Sequence, residues 1–141
     1  RITVSVEYQG ALPPVSIDGP QIKQVFFNLI KNALEAMPDG GSLKITSRAG
    51  NTWLEIDFLD TGVGIEPERL GRLFQPYQTT KPGGHGLGLM IVQRIIQEHG
   101  GQIEVASKSG QGSCFRVLLP LVSRRFRMLN MGTEHREVGA E

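Results

Sequence analysis

The chain opens on strict alternation. Ile2, Val4, Val6 and Tyr8 are separated by polar residues, a period of two that predicts a half-buried strand. From residue 18 the period lengthens: Ile22, Val25, Phe26, Leu29, Ile30, Ala33, Leu34 and Met37 recur at helical spacing and form one apolar stripe. Asp18 and Gln21 have the spacing of a capping box, Pro20 falls in the first turn, and "PDGG" (38–41) stops the helix. "SLKITSR" and "TWLEIDFLD" flank Ala49, Gly50 and Asn51 and read as an antiparallel hairpin. "GLGLMIVQRIIQEHGG" (86–101) returns to the helical period and ends on paired glycines. "QIEVASK" and "SCFRVLLP" form a second hairpin around "SGQG". Residues 61–85 hold no sustained period beyond a short helical stretch at 67–73.

Paired hairpins and two long helices, each with one apolar face, predict an α+β domain. It is a two-layer α/β sandwich whose mixed, mostly antiparallel sheet is covered on one face by helices. The alternation of strand and helix is too irregular for a doubly wound parallel sheet. Long aperiodic spans inside compact domains are usually functional, so residues 62–85 are expected to form a flexible lid. The domain is expected to run over 1–121. The charged, aperiodic residues 122–141 are expected to be a frayed tail or a linker.

Composition narrows the function classes. The chain has 141 residues and a formal charge of +1, without the basic excess of a nucleic-acid-coating protein. Its one cysteine, Cys114, rules out an internal disulfide framework and a cysteine-rich zinc site. No apolar run has the length of a membrane span and no signal peptide opens the chain, so no membrane contact by this fragment is expected. A cytoplasmic location is expected, with a parent protein that is either soluble or membrane-anchored. Arg1 falls inside a strand-like pattern, which reads as a piece of something longer. Glycine, at 18 residues, is concentrated between Gly62 and Gly88 and in pairs at the ends of periodic segments, where it marks turns and close backbone approaches.

Three stretches carry candidate chemistry. Gln24, Asn28, Lys31, Asn32 and Glu35 form a polar row beside the apolar stripe of the first helix. Asn weakens a helix interior, so this row is either a solvated face or a pair of carboxamide ligands suited to Mg²⁺. Asp60 ends a strand and is followed by Gly62 and Gly64. "DTG" is good turn chemistry, and a strand-end carboxylate can also accept from the exocyclic amine of a base such as adenine. Gly84, Gly86 and Gly88 fit neither the dinucleotide fingerprint nor a Walker A loop. They lead into a helix N-terminus, which favours an anionic phosphate or serves close helix–sheet packing, and Lys81 lies just upstream.

Taken in order, these motifs resemble the ATP-binding catalytic domain of sensor histidine kinases, a branch of the superfamily that includes DNA gyrase, the heat-shock chaperone ATPases and the mismatch-repair ATPases. "QVFFNLIKNALEAM" (24–37) is similar to the N box and "DTGVGI" (60–65) to the G1 box. "LFQPYQTTK" (73–81) is similar to the F box and lid, "GHGLGL" (84–89) to the G2 box and "GQGSCF" (110–115) to the G3 box. The resemblance covers roughly 1–121, is nearest in wording to the nitrogen-regulation type, and implies a Bergerat-type ATP-binding fold. It implies that Asn32 ligates Mg²⁺, that Asn28 supports the metal–phosphate site, and that Asp60 binds the adenine amine with the help of a water. Gly62 and Gly64 shape the base pocket. Lys81 approaches the γ-phosphate, and Gly86, Leu87 and Gly88 offer backbone N–H groups. Phe74 and Tyr77 anchor the lid, and Ser113 lies near the base or its water. Lys31, Ile65, Thr80, Gly84 and His85 complete the implied nucleotide contacts. Tyr77 stands where the family commonly has Phe. His85 replaces a small hydroxyl residue and either reaches phosphate or faces solvent.

The resemblance also bears on the reaction. The hydrolysing branches carry a water-activating Glu four residues before the Mg²⁺ Asn, and here that position is Asn28, which has no useful basicity. This favours transfer to a histidine on a separate dimerisation domain, and from there to the receiver domain of a response regulator. His85, His99 and His135 all lack the acceptor context, and His99 is expected to sit solvated at a helix C-terminus. ATP, ADP and Mg²⁺ are the implied ligands. A serine kinase of the anti-sigma branch and a non-catalytic nucleotide-binding regulatory module are the alternatives.

Overall fold

A computed structural model describes residues 1–76 and 87–121. In chain order the elements are β1 (Ile2–Gln9), α1 (Gly19–Glu35), β2 (Gly41–Ala49), β3 (Trp53–Asp60), α2 (Pro67–Leu70), α3 (Gly88–Glu98), β4 (Gln102–Lys108) and β5 (Gly112–Pro120). The five strands make one sheet in the order β1-β2-β3-β5-β4. β1 runs parallel to β2, and every other neighbouring pair is antiparallel, including the hairpins β2–β3 and β4–β5. The expected mixed sheet with helices on one face is therefore observed.

Burial follows the two periods. Val25, Leu29 and Ala33 of α1 and Val92, Ile95 and Ile96 of α3 are buried against Leu43, Phe58, Phe115 and Val117 of the sheet. Phe26 meets Phe58 edge to face, with ring centroids 5.4 Å apart. Removing a side chain as deeply buried as Phe58 costs about 3–5 kcal/mol. On the opposite face of the sheet Arg116 grips Asp57 through Nε and a terminal nitrogen at 2.8 and 3.0 Å, while Arg48 donates to Glu55. Cys114 belongs to this outer face by alternation with Phe115 and is only half-buried, so it is not the core residue its apolar neighbours suggest.

β1 departs from its pattern. It is a strand, but Val4, Val6 and Tyr8 are 54%, 51% and 70% exposed, and only Ile2 packs on the core. Alternation reports which side chains share a face, and burial requires something to cover that face. β1 and β4 are the sheet's two edges; α3 packs over β4 and β5, and α1 over β3.

The helices are also tied end to end. Asp18 Oδ1 accepts from Gln21 N–H at 3.0 Å, the expected N-cap, which is worth about 1 kcal/mol. The reciprocal bond of a capping box is replaced: the Asp18 backbone N–H donates to His99 Nε2 at 3.0 Å. His99, the C-cap of α3, is thus half-buried and engaged between two helices, not simply solvated.

Candidate functional site

Of the polar row of α1, Asn28 lies on the flank that meets α3. Asn28 and Asn32 are both half-buried, and Asn28 Nδ2 donates to the Gly88 carbonyl at 3.2 Å, joining the middle of α1 to the start of α3. A carboxamide that donates through nitrogen has its orientation fixed, and Asn28 Oδ1 remains as a neutral oxygen ligand. Leu87, at the N-cap of α3, has no side chain able to cap, and among the described residues no side chain caps the first-turn N–H groups. Lys31 lies further round the helix, exposed, with Nζ 3.8 Å from Glu35 Oε2 one turn on.

The other end of α1 abuts the segment after β3. Val63 N–H donates to the Ala36 carbonyl at 2.9 Å. A Cβ on Gly62 would stand 2.4 Å from that same carbonyl oxygen, so only glycine permits the approach. Gly64 has a φ of 75°, and a Cβ there would lie 2.2 Å from the Lys108 carbonyl oxygen. Gly110 N–H donates to the Val63 carbonyl at 2.6 Å, and Ser109 Oγ donates to Glu66 at 2.8 Å. The loop 61–66 is thus held between the end of α1 and the β4–β5 turn, with Ile65 buried. From Asn28 to Ala36 the helix rises by about 12 Å. That is the separation along α1 between its loop end and its contact with the start of α3.

At the loop end sits Asp60, 7% exposed at the terminus of β3, with Ser113 directly across on β5 and 9% exposed. Asp60 Oδ1 accepts from Gly62 N–H at 2.8 Å. Burial pushes its carboxyl above the ordinary range, and the backbone N–H groups of Gly62 and Ser113 pull the other way. A buried carboxylate has more lone pairs than these two N–H groups use, so it is an acceptor suited to a ligand N–H.

Sequence reasoning missed Ser107. Its Oγ accepts from Ile65 N–H at 2.8 Å, donates to the Gly112 carbonyl at 2.9 Å and meets Ser113 Oγ at 2.9 Å. The available signal was its register: in "QIEVASK" it follows Ile103 and Val105 on the inward face, a hydroxyl where an apolar residue is expected.

Among the other expected site residues, Phe74 is half-buried against the core, and Leu87 and Gly88 form the start of α3. Tyr77, Thr80, Lys81, Gly84, His85 and Gly86 lie outside the described residues, as does most of the expected lid. No described helix is long and apolar enough to cross a membrane.

Residues 17–123 match the family described as Histidine kinase-, DNA gyrase B-, and HSP90-like ATPase. The chain belongs to this family. It is 44% identical over 122 residues to sporulation kinase E of Bacillus subtilis (strain 168), an alignment covering 86% of the chain and 16% of that protein. It is 40% identical over 110 residues to sensor histidine kinase ZraS of Escherichia coli (strain K12), covering 78% of the chain and 24% of that protein. The catalytic domain of histidine kinase ThkA matches with a TM-score of 0.75 at 37% identity, over 84% of this chain and 80% of that one. The chain is a catalytic, ATP-binding domain of the sensor histidine kinase type. It spans only 16% and 24% of the length of those two curated relatives.

Proposed function

We propose that residues 1–121 bind Mg²⁺–ATP along the flank of α1 and transfer its γ-phosphoryl group to a histidine on a separate dimerisation domain, for onward transfer to a response-regulator receiver domain. The observation that carries this reading is the Asn28–Gly88 hydrogen bond, which joins the helix bearing both carboxamides to the exposed N-terminus of α3. Anionic phosphates at that N-terminus gain from its free N–H groups and dipole. Asn32 is the proposed metal ligand, with Asn28 Oδ1 in support. Mg²⁺ takes few protein ligands and fills its octahedron with phosphate oxygens and water, so two neutral carboxamides suit it. When bound, the ion neutralises charge on the phosphates.

Asp60 is the proposed acceptor for the adenine N6 amine, with Ser113 across from it, and Gly62, Gly64 and Ile65 forming the pocket's loop wall. Leu87 and Gly88 contribute N–H groups to the phosphates. Phe74, Tyr77, Thr80, Lys81, Gly84, His85 and Gly86 are proposed as the lid and phosphate contacts, and Lys31 as a peripheral one. Neither carboxamide can take a proton from water. The domain's work is therefore to position the γ-phosphoryl group for an external imidazole nitrogen. The new P–N bond forms as the P–O bond to ADP breaks. ATP supply places such a domain in the cytoplasm, whether or not the parent protein is anchored in a membrane.

Two measurements test the reading. Calorimetric titration with a non-hydrolysable ATP analogue should give binding that is lost in Asp60→Ala and insensitive to Mg²⁺ in Asn32→Ala. Joined to a histidine-bearing dimerisation domain, the chain should transfer γ-labelled phosphate in an acid-labile, base-stable linkage. An acid-stable product would instead indicate a serine kinase, and absence of nucleotide binding would indicate a non-catalytic module.

A further inference from the structure

Among the described residues β1 pairs only with β2, so its other side carries unpaired backbone N–H and C=O groups. The strand runs eight residues without proline or glycine, and Val4, Val6 and Tyr8, which share its inner face, are each more than half exposed. Uncovered β-branched residues beside a free edge are a template for one more strand. The opposite edge differs: Ile103 and Val105 of β4 are half-buried against the core, where α3 packs.

A second β1 can add antiparallel about a two-fold axis. Directly opposed side chains then share a face, so the axis passes beside one residue of the strand. An axis at Ser5 sets Glu7 opposite Thr3, and an axis at Val6 sets Glu7 opposite Ser5. An axis at Val4 sets Glu7 opposite Arg1 at both ends of the seam, Ile2 opposite Val6, and Val4 opposite its own copy. Of these three registers, this one joins opposite charges as well as apolar side chains. Glu7 also lies 3.5 Å from Lys44 Nζ, and a carboxylate accepts from two cations at once.

We propose that β1 is a self-association edge whose partner is a second copy of this chain. Two five-stranded sheets join antiparallel about an axis at Val4 into one of ten strands. Ile2, Val4 and Val6 meet their counterparts across the seam on the face that carries the helices, and Arg1–Glu7 pairs close it on the other. The interface is independent of the nucleotide reading.

Sedimentation equilibrium of the chain should show a concentration-dependent equilibrium between monomer and dimer. Val4→Lys, which sets two like charges at the axis, should abolish the dimer. Glu7→Arg should weaken it about fivefold or more, since each dimer holds the ion pair twice, and Arg1→Glu added to Glu7→Arg should restore it. Oxidation reads the register in a Cys114→Ser background. Residues opposed across an antiparallel pair have Cα atoms about 4.5–5.5 Å apart, within disulfide reach, so Val4→Cys should cross-link and Ser5→Cys should not. A chain that stays monomeric at every concentration would overturn the proposal and leave the edge to a strand of a different protein. A dimer that survives Val4→Lys, or one cross-linked by Ser5→Cys and not by Val4→Cys, would overturn it as well. Should Val4→Lys fail to fold, the charge swap decides, since a double variant no tighter than Glu7→Arg excludes the Arg1–Glu7 seam.

Discussion

His99 Nε2 accepts the backbone N–H of Asp18 at 3.0 Å, a contact across 81 residues that joins the end of α3 to the start of α1. Since Nε2 accepts, the ring proton sits on Nδ1, which lies 2.8 Å from the Ile95 carbonyl. At the other end of α3, Asn28 holds the Gly88 carbonyl. Two side chains thus hold α3 to α1 at both ends of α3. The proposed phosphate contacts and metal ligands are divided between these helices, so this alignment sets their separation.

His99→Ala leaves the Asp18 N–H without that acceptor and removes the side-chain bond to Ile95. Unfolding in urea should show a loss of about 1–2 kcal/mol, with an unchanged denaturant slope. Asp18→Ala removes the neighbouring cap and should cost about 1 kcal/mol. The two residues share a junction, so the double variant should lose less than the sum.

Asp60 predicts a pH dependence with a definite sign. Burial raises its carboxyl above the ordinary range in the folded protein. A carboxyl raised in this way contributes its full stability when protonated, below its unfolded value, and loses it as pH rises through the folded value. Asp60→Asn removes this titration while keeping an oxygen for Gly62 N–H. Urea titrations from about pH 4 to neutrality should show a flatter profile for the variant, which should equal or exceed the parent in stability at the neutral end. Its free amide N–H₂ would then confront the adenine amine. ATP affinity should fall about tenfold or more in calorimetry, so that stability and binding move in opposite directions.

Much of this architecture was legible because periodicity reports local structure directly. The stripe from Ile22 to Ala33 and the two hairpins needed no tertiary knowledge, and Asp60 with Gly62 and Gly64 stood out by residue type. Properties that depend on distant partners were not legible. Val4 and Val6 alternate as a buried strand does, yet they are 54% and 51% exposed. Ser107 looks like an ordinary strand residue until Ile65 and Gly112 arrive at its hydroxyl from other parts of the chain. His99 has a helix-end position that suggests solvent, and only the fold brings Asp18 to it.

Gly64 tests the loop at the proposed base end of the site. Its φ of 75° disfavours any L side chain, and the Lys108 carbonyl stands 2.2 Å from where a Cβ would be. Gly64→Ala must move the loop away from the β4–β5 turn, at a cost of about 2 kcal/mol or more. The displaced Ile65 N–H would leave Ser107, so thermal stability and ADP affinity should fall together. Gly71→Ala is the control, because a Cβ there meets nothing within 4 Å; its stability should be unchanged or slightly raised.

Asn28→Ala separates the two ends of the proposed ligand. The substitution removes the donor to the Gly88 carbonyl and the Oδ1 ligand together, about two turns of helix away from Ala36 and the loop against it. With the N-terminus of α3 released and one neutral oxygen gone, the phosphates should lose contacts while the proposed adenine pocket keeps Asp60, Gly62 and Ser113. Mg²⁺–ATP affinity should therefore fall by roughly tenfold, the effect of one or two lost charge-assisted contacts. Adenosine, which lacks phosphates, should bind the variant and the parent equally well. An equal loss for both ligands would place the effect of Asn28 in the fold of α1 and not at the phosphates. A loss confined to Mg²⁺–ATP locates the triphosphate at the junction of the two helices.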